Sequence, residues 1–250
     1  MEPAREKDPQ SLPVIWMLPD RPARGPRPAH SRGEIAAVAI KIADTGGIDA
    51  VTMRRVAAEI GCGTMSLYRY VPTKDHLFDL MIDAAAGEVE PPARPSGDWR
   101  ADLRMVAQVH RAMLLRHPWL TALQAGRPSF GPNSLRALEF ALSVLDLLGL
   151  TIDQMLIMVD TLIAFVRGAA VSELAEQEAQ RRTGLNERQW QASLAPYVRT
   201  LMESGKYPMF NRVIADAGQP HSDAGSDYHF GVRLERVLDG LAAGLPAPPG

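Results

Sequence analysis

Thr64, Met65, Ser66, Tyr68 and Tyr70 put four hydroxyls and a thioether on one short stretch. A merely solvated face would carry Glu and Lys there. Hydroxyls hydrogen-bond phosphates and base edges, and a thioether packs against a thymine methyl group. The chemistry on offer is therefore recognition without bond-making. Catalytic alternatives find no support in the same sequence. There is no Gly-rich phosphate loop, no Gly-x-Ser-x-Gly, no His-Glu-x-x-His and no paired-carboxylate motif. His110 and His117 share a helix face but stand two turns apart, about 10 Å, too far for one metal ion. Cys62 has no second cysteine and no activating cluster, which makes it an inert turn residue rather than a redox sensor. Neither a metal nor a cofactor is expected.

The recognising side chains need a frame, and the flanking residues supply one. Thr52 caps a short helix whose inward residues are Val56, Ala57 and Ile60, and Gly61 ends it. A second helix runs from Thr64 to Tyr70 with Leu67 inward, stopped by Pro72. A small residue at the crossing, a glycine at the turn and apolar locks are the demands of a DNA-binding helix-turn-helix. An ordinary pair of helices in an all-helical protein makes similar demands, and the outward hydroxyls weigh toward the DNA-binding reading. Before this pair, Ser31 caps a helix through Ile35, Val38, Ala39, Ile42 and Ala43, which Gly46-Gly47 stops. After it, Thr73 caps a helix through Leu77, Leu80 and Met81.

The remainder predicts helices over 98–116, 135–148, 152–182, 196–203 and 230–241, with loops at 87–97, 126–132 and 216–227. Few aromatic and many Ala, Leu and Met residues favour helix on helix, and no strand pattern competes. The expected fold is all-α: an N-terminal three-helix domain with the helix-turn-helix over 31–78, and a larger helical bundle over 79–245. Seven of the twenty prolines fall within residues 1–30, which predicts a disordered arm there. Its Arg21, Arg24 and Arg27 fit either a DNA minor groove or plain solvent. Residues 21–76 carry nine basic and five acidic side chains, while residues 77–250 carry sixteen and twenty, so the only net-positive segment is the one with the helix-turn-helix. One cysteine and no long leading apolar run fit a cytoplasmic protein, and no run of about 20 apolar residues suggests a membrane span.

The run Ile35 to Leu80 resembles the DNA-binding domain of TetR-family regulators. The resemblance rests on Ala43, Gly46-Gly47, Thr52-Met-Arg-Arg-Val-Ala, Gly61, Ser66-Leu-Tyr68, Tyr70-Val and Thr73-Lys74-Asp75-His-Leu. It implies a homodimer that reads a near-palindromic operator on double-stranded DNA and responds to a small-molecule effector. It also implies DNA contacts at Thr52, Arg54, Thr64, Met65, Ser66, Tyr68, Tyr70 and Lys74. Lys74 opens a helix, where free N–H groups also favour a phosphate. Arg69 reads equally as a backbone contact or a solvated side chain.

A looser resemblance to the C-terminal domain of the tetracycline-repressor branch rests on Asp98-Trp-Arg, Arg116-His-Pro-Trp119, Gly126-Arg-Pro128 and Gly131-Pro-Asn133. That branch's drug-coordinating His has no counterpart in Leu123-Gln124-Ala125, so tetracycline and magnesium are not implied. Met105, Val109, Met113, Leu138, Leu142, Met158, Leu162 and Phe165, with Leu145, Met155 and Val166, fit an apolar effector pocket or a plain core. The helices near 152–182 and 230–241 would then build the dimer. Steric repression needs no polymerase-contacting segment and is expected over activation. An architectural DNA-binding protein without effector is the other reading.

Overall fold

The computed structural model describes residues 13–19, 30–124, 129–217 and 225–246. Among them there is no strand, as the helix-rich reading expects. The chain divides into two compact units, Met1–Met155 and Leu156–Gly250, with the division falling inside a helix.

In the first unit, α1 (Arg32–Gly46) begins with a capping box: the Ser31 side chain accepts the Glu34 N–H and Glu34 returns to the Ser31 N–H. These bonds lower the Glu34 carboxyl below its ordinary pKa. Thr52, Thr73 and Asp98 cap α2 (Met53–Ile60), α4 (Lys74–Ala86) and α5 (Trp99–Arg116) in the same way, each accepting a backbone N–H of the first turn. Between α2 and α4 lies α3 (Thr64–Tyr70). Ile35, Ala39, Val56, Leu67, Val71 and Leu77 are buried as the core of this head. Ile60, expected inside, is half-buried, and Met53 at the start of α2 takes an inward place.

The expected domain boundary near residue 78 falls within α4. That helix packs on α1 and, less extensively, on α7 (Pro132–Asp146), which also packs on α5. α7 starts three residues earlier than the periodicity suggested, because Pro132 sits where a helix needs no N–H. One short turn, α6 (Leu120–Leu123), follows α5.

An arm without structure over 1–30 does not hold for Pro13–Pro19. Ile15–Met17 forms a 3-10 turn, and Ile15 is fully buried at α4. Prolines forbid a long helix but not a single turn anchored by one apolar side chain. Arg21, Arg24 and Arg27 lie outside the described residues, as does the Gly126-Arg-Pro128 turn.

The division between the units falls in α8 (Ile152–Thr183). Contrary to the reading that no run approaches a membrane span, α8 is long and apolar enough to cross one by length and composition. Contiguous counting missed it because Asp160, Thr161 and Arg167 interrupt the run. Only a third of that stretch is buried, and Ile157, 64% exposed, is one of several uncovered apolar side chains on it. In the second unit Phe165 stacks on Phe230 of α12 (Ser226–Ala243), ring centroids 5.5 Å apart. Between them α9 (Glu187–Ser193), α10 (Ala195–Glu203) and α11 (Pro208–Asp216) contain no buried residue. Of these three, only α10 was expected.

Candidate nucleic-acid interface

The α2–α3 turn is built by Gly61, whose left-handed backbone (φ +78°) a side chain would strain. Its own N–H and that of Cys62 close onto Ala58 and Ala57 carbonyls, so the last carbonyls of α2 are satisfied within the turn. Gly63 then caps α3 without a side chain. Leu67, with no exposure at all, and the buried Val71 pin the inner side of this seven-residue helix.

Its outer side carries what the sequence proposed. Met65 is 77% exposed and Tyr68 40% exposed, while Thr64, Ser66 and Tyr70 are half-buried. Thr52 and Arg54 are exposed at the start of α2, and Lys74 is exposed at the start of α4 with its ammonium 5.1 Å from the Phe78 ring centroid. Arg69 is exposed. An exposed methionine on a short helix has no packing role, whereas it suits contact with base methyl groups in a groove.

Three groups that sequence reasoning missed hold this head in place. Arg32 donates to the carbonyl of Tyr70, the last residue of α3, at 3.1 Å. Asp83 of α4 accepts the backbone N–H groups of Asn133 and Ser134, both at 2.9 Å, and so caps α7. The Asn133 amide returns to the Asp83 carboxylate and carbonyl at 3.1 Å. His117 at the end of α5 is buried with its ring nitrogens 2.8 Å from Asp44 of α1 and 3.0 Å from Glu88 beyond α4. Trp119 adds an indole N–H to the same Asp44 oxygen at 2.7 Å, and Arg116 pairs with Glu88 at 2.6 Å. His117 is thus a joint between elements rather than half of a histidine pair. The only signal for it was the His-Pro-Trp run, since its partners lie 73 and 29 residues away.

Of the expected effector residues, Met105, Val109, Met113, Leu138 and Leu142 are half-buried on α5 and α7. Val109 and Met113 line a groove of about 240 Å³ with Ala85, Val89 and Arg116, where the end of α4 faces α5. Met158 and Leu162 are buried in the second unit, and Phe165 is occupied by its stack on Phe230.

Burial raises the Asp79 carboxyl above its ordinary pKa, opposed by nearby His76 and aided by Asp75. Asp79 sits on α4 just after the proposed phosphate contact at Lys74.

Comparison with known proteins agrees with this architecture. Residues 35–81 match the family described as bacterial regulatory proteins, tetR family, and residues 91–245 match the tetracyclin repressor-like C-terminal domain. The chain is similar to the HTH-type transcriptional repressor DrrR1 of Streptomyces coeruleorubidus, 40% identical over 233 residues, which covers 93% of this chain and 84% of that one. It is also similar to the class A tetracycline repressor protein from transposon 1721 of Escherichia coli, 26% identical over 208 residues, 82% of this chain and 87% of that one. Among solved structures, the TetR family protein ActR of Streptomyces coelicolor in complex with actinorhodin superimposes with a TM-score of 0.71 at 29% identity, covering 87% of this chain and 97% of that one. These relatives are transcription regulators and not enzymes. Family matches that together reach from residue 35 to residue 245, and a repressor alike along almost the whole length, make this chain a member of the TetR family of transcription regulators.

Proposed function

We propose that the protein is a homodimeric repressor that reads a near-palindromic operator through Thr52, Arg54, Thr64, Met65, Ser66, Tyr68, Tyr70 and Lys74, and that a small molecule controls its hold on DNA. The observation that carries the reading is the exposed hydroxyl and thioether face of α3, backed by the buried Leu67. The likeness to a named repressor supports repression over activation. Dimerisation is supported by the uncovered apolar residues of α8, Ile152, Leu156 and Ile157 among them, which a second copy would cover together with α12.

Effector control is supported by the actinorhodin complex of ActR and by the groove between α4 and α5. At about 240 Å³ that groove is smaller than a site for a drug-sized molecule. A ligand held by Met105, Val109, Met113, Leu138 and Leu142 would have to part the helices. Because α4 packs on both α1 and α7, parting them displaces the head.

The test is to pass fragmented genomic DNA from the source organism over the purified protein at about 0.15 M salt, where nonspecific phosphate contacts are weakened, and to sequence what is retained. An inverted repeat with half-sites about one helical turn apart supports the dimeric reader. Retention without a shared sequence favours the architectural alternative, and no retention at all overturns the DNA reading.

A further inference from the structure

Residues 13–19 lie outside the stretch that matches the family's DNA-binding domain, yet they are wired into the head. The wiring runs through Arg32. Its Nη1 donates to the carbonyls of Ile15 at 3.2 Å and Leu18 at 2.9 Å, its Nη2 to that of Pro19 at 3.2 Å, and its Nε to that of Tyr70 at 3.1 Å. One guanidinium thus closes the turn of the leading segment with two of its nitrogens and holds the end of α3 with the third. Ile15, fully buried, fixes the same segment from the apolar side.

The bond to Tyr70 has a specific physical value. The last carbonyls of a helix have no partner within it, and a cation there complements the helix dipole. At seven residues, α3 is too short to hold its own shape in water, so its ends set its position. The turn at Gly61 sets the first end; Val71 and Arg32 set the second. Tyr68 and Tyr70 stand at that second end.

We propose that residues 13–19 are an integral part of the DNA-reading head, and that Arg32 is a positioning residue for recognition that holds the C-terminal end of α3 against this segment. The inference rests on the DNA-reading function proposed above. Only a planar fork with several donors reaches the two sets of carbonyls at once; an ammonium does not.

The test uses the full chain as Arg32→Ala, Arg32→Lys and Ile15→Asp, with folding checked by circular dichroism at the temperature of measurement. Affinity is measured for a DNA fragment recovered by the wild type and for a scrambled fragment of equal length, and amide hydrogen exchange is followed over 64–71. For Arg32→Ala the expected result is a loss of about tenfold on the recovered fragment, the scale of one misplaced base contact, with little change on the scrambled one. Amides at the end of α3 exchange faster, Ile15→Asp behaves alike, and Arg32→Lys restores part of both readouts. Equal losses on the two fragments, or wild-type affinity on both, overturn the positioning role. Should the wild type recover no DNA, the reading function fails separately. Exchange alone then decides the brace, and unchanged protection over 68–71 in Arg32→Ala overturns it.

Discussion

The imidazole of His117 lies 2.8 Å from the carboxylate of Asp44, joining the end of α5 to the end of the first helix of the head. Its other nitrogen faces Glu88 at 3.0 Å. A neutral ring has one N–H and satisfies one carboxylate, whereas a ring protonated on both nitrogens satisfies both. Removing the ring takes one partner from each of two partly buried carboxylates, leaving Asp44 with the Trp119 N–H and Glu88 with Arg116, and opens a void where the ring was. We expect His117→Ala to cost about 1–3 kcal/mol in chemical denaturation. Combined with Asp44→Asn it should cost less than the two single changes added, by on the order of 1 kcal/mol. Strict additivity would show that the contact is idle.

Gly131 is the N-cap residue of α7. A Cβ built there would overlap the Asp83 side chain, so Gly131→Ala must push Asp83 off the Asn133 and Ser134 N–H groups. The expected loss is about 1–3 kcal/mol, since overpacking and a broken buried cap act together. Unchanged stability in urea would contradict this.

At the DNA face, phosphate and base contacts separate by their salt behaviour. Lys74→Ala should weaken binding to recovered and scrambled fragments alike and lower the slope of log affinity against log salt by about 1. Met65→Ala should leave the slope alone and reduce preference for the recovered fragment. The same slope change for both variants would remove the distinction drawn between α3 and α4.

If a second copy covers α8, Ile157→Asp places a charge in the covered face. Light scattering after size exclusion should then report a monomer for the variant and a dimer for the parent, with circular dichroism unchanged. A dimeric variant would move the interface elsewhere.

Asp79 has a definite pH signature. Burial raises its carboxyl in the folded chain, so the protonated form is the one the fold prefers. The stability linked to it is complete below the ordinary carboxylate value of about 4 and is lost as pH rises through the raised value. Asp79→Asn should therefore raise Tm near neutral pH and converge with the parent in acid. A constant difference at all pH values would refute the burial argument.

Much of the head was legible because its signals are local. Ser31, Thr52, Thr73 and Asp98 announce helix starts within three residues of the N–H groups they accept, and Gly61 and Leu67 need only their immediate neighbours. The partners of His117 and Asp83 lie 29 to 73 residues away and those of Arg32 are backbone carbonyls, and no periodicity reports them. Helix α9, Glu-Arg-Gln-Trp-Gln-Ala-Ser, has no apolar stripe by which a helix is recognised from sequence. Helix α11 carries Met209, Phe210, Val213 and Ile214 on one face but spans only nine residues, too few for the period to stand out. The residues expected at an effector pocket or in a plain core are divided in the fold. Val109 and Met113 line a groove, and Phe165 packs on a ring.

Because α4 belongs to the head and the body alike, the two are poor candidates for exchange as modules. A hybrid joined near residue 78 would keep Asp83 with Asn133 but would draw Asp44 from one parent and His117 from the other. Swapping operator specificity among relatives of this protein therefore calls for a graft that carries His117 and Glu88 along with Asp44 and the reading helices, or one confined to the outward residues of α3.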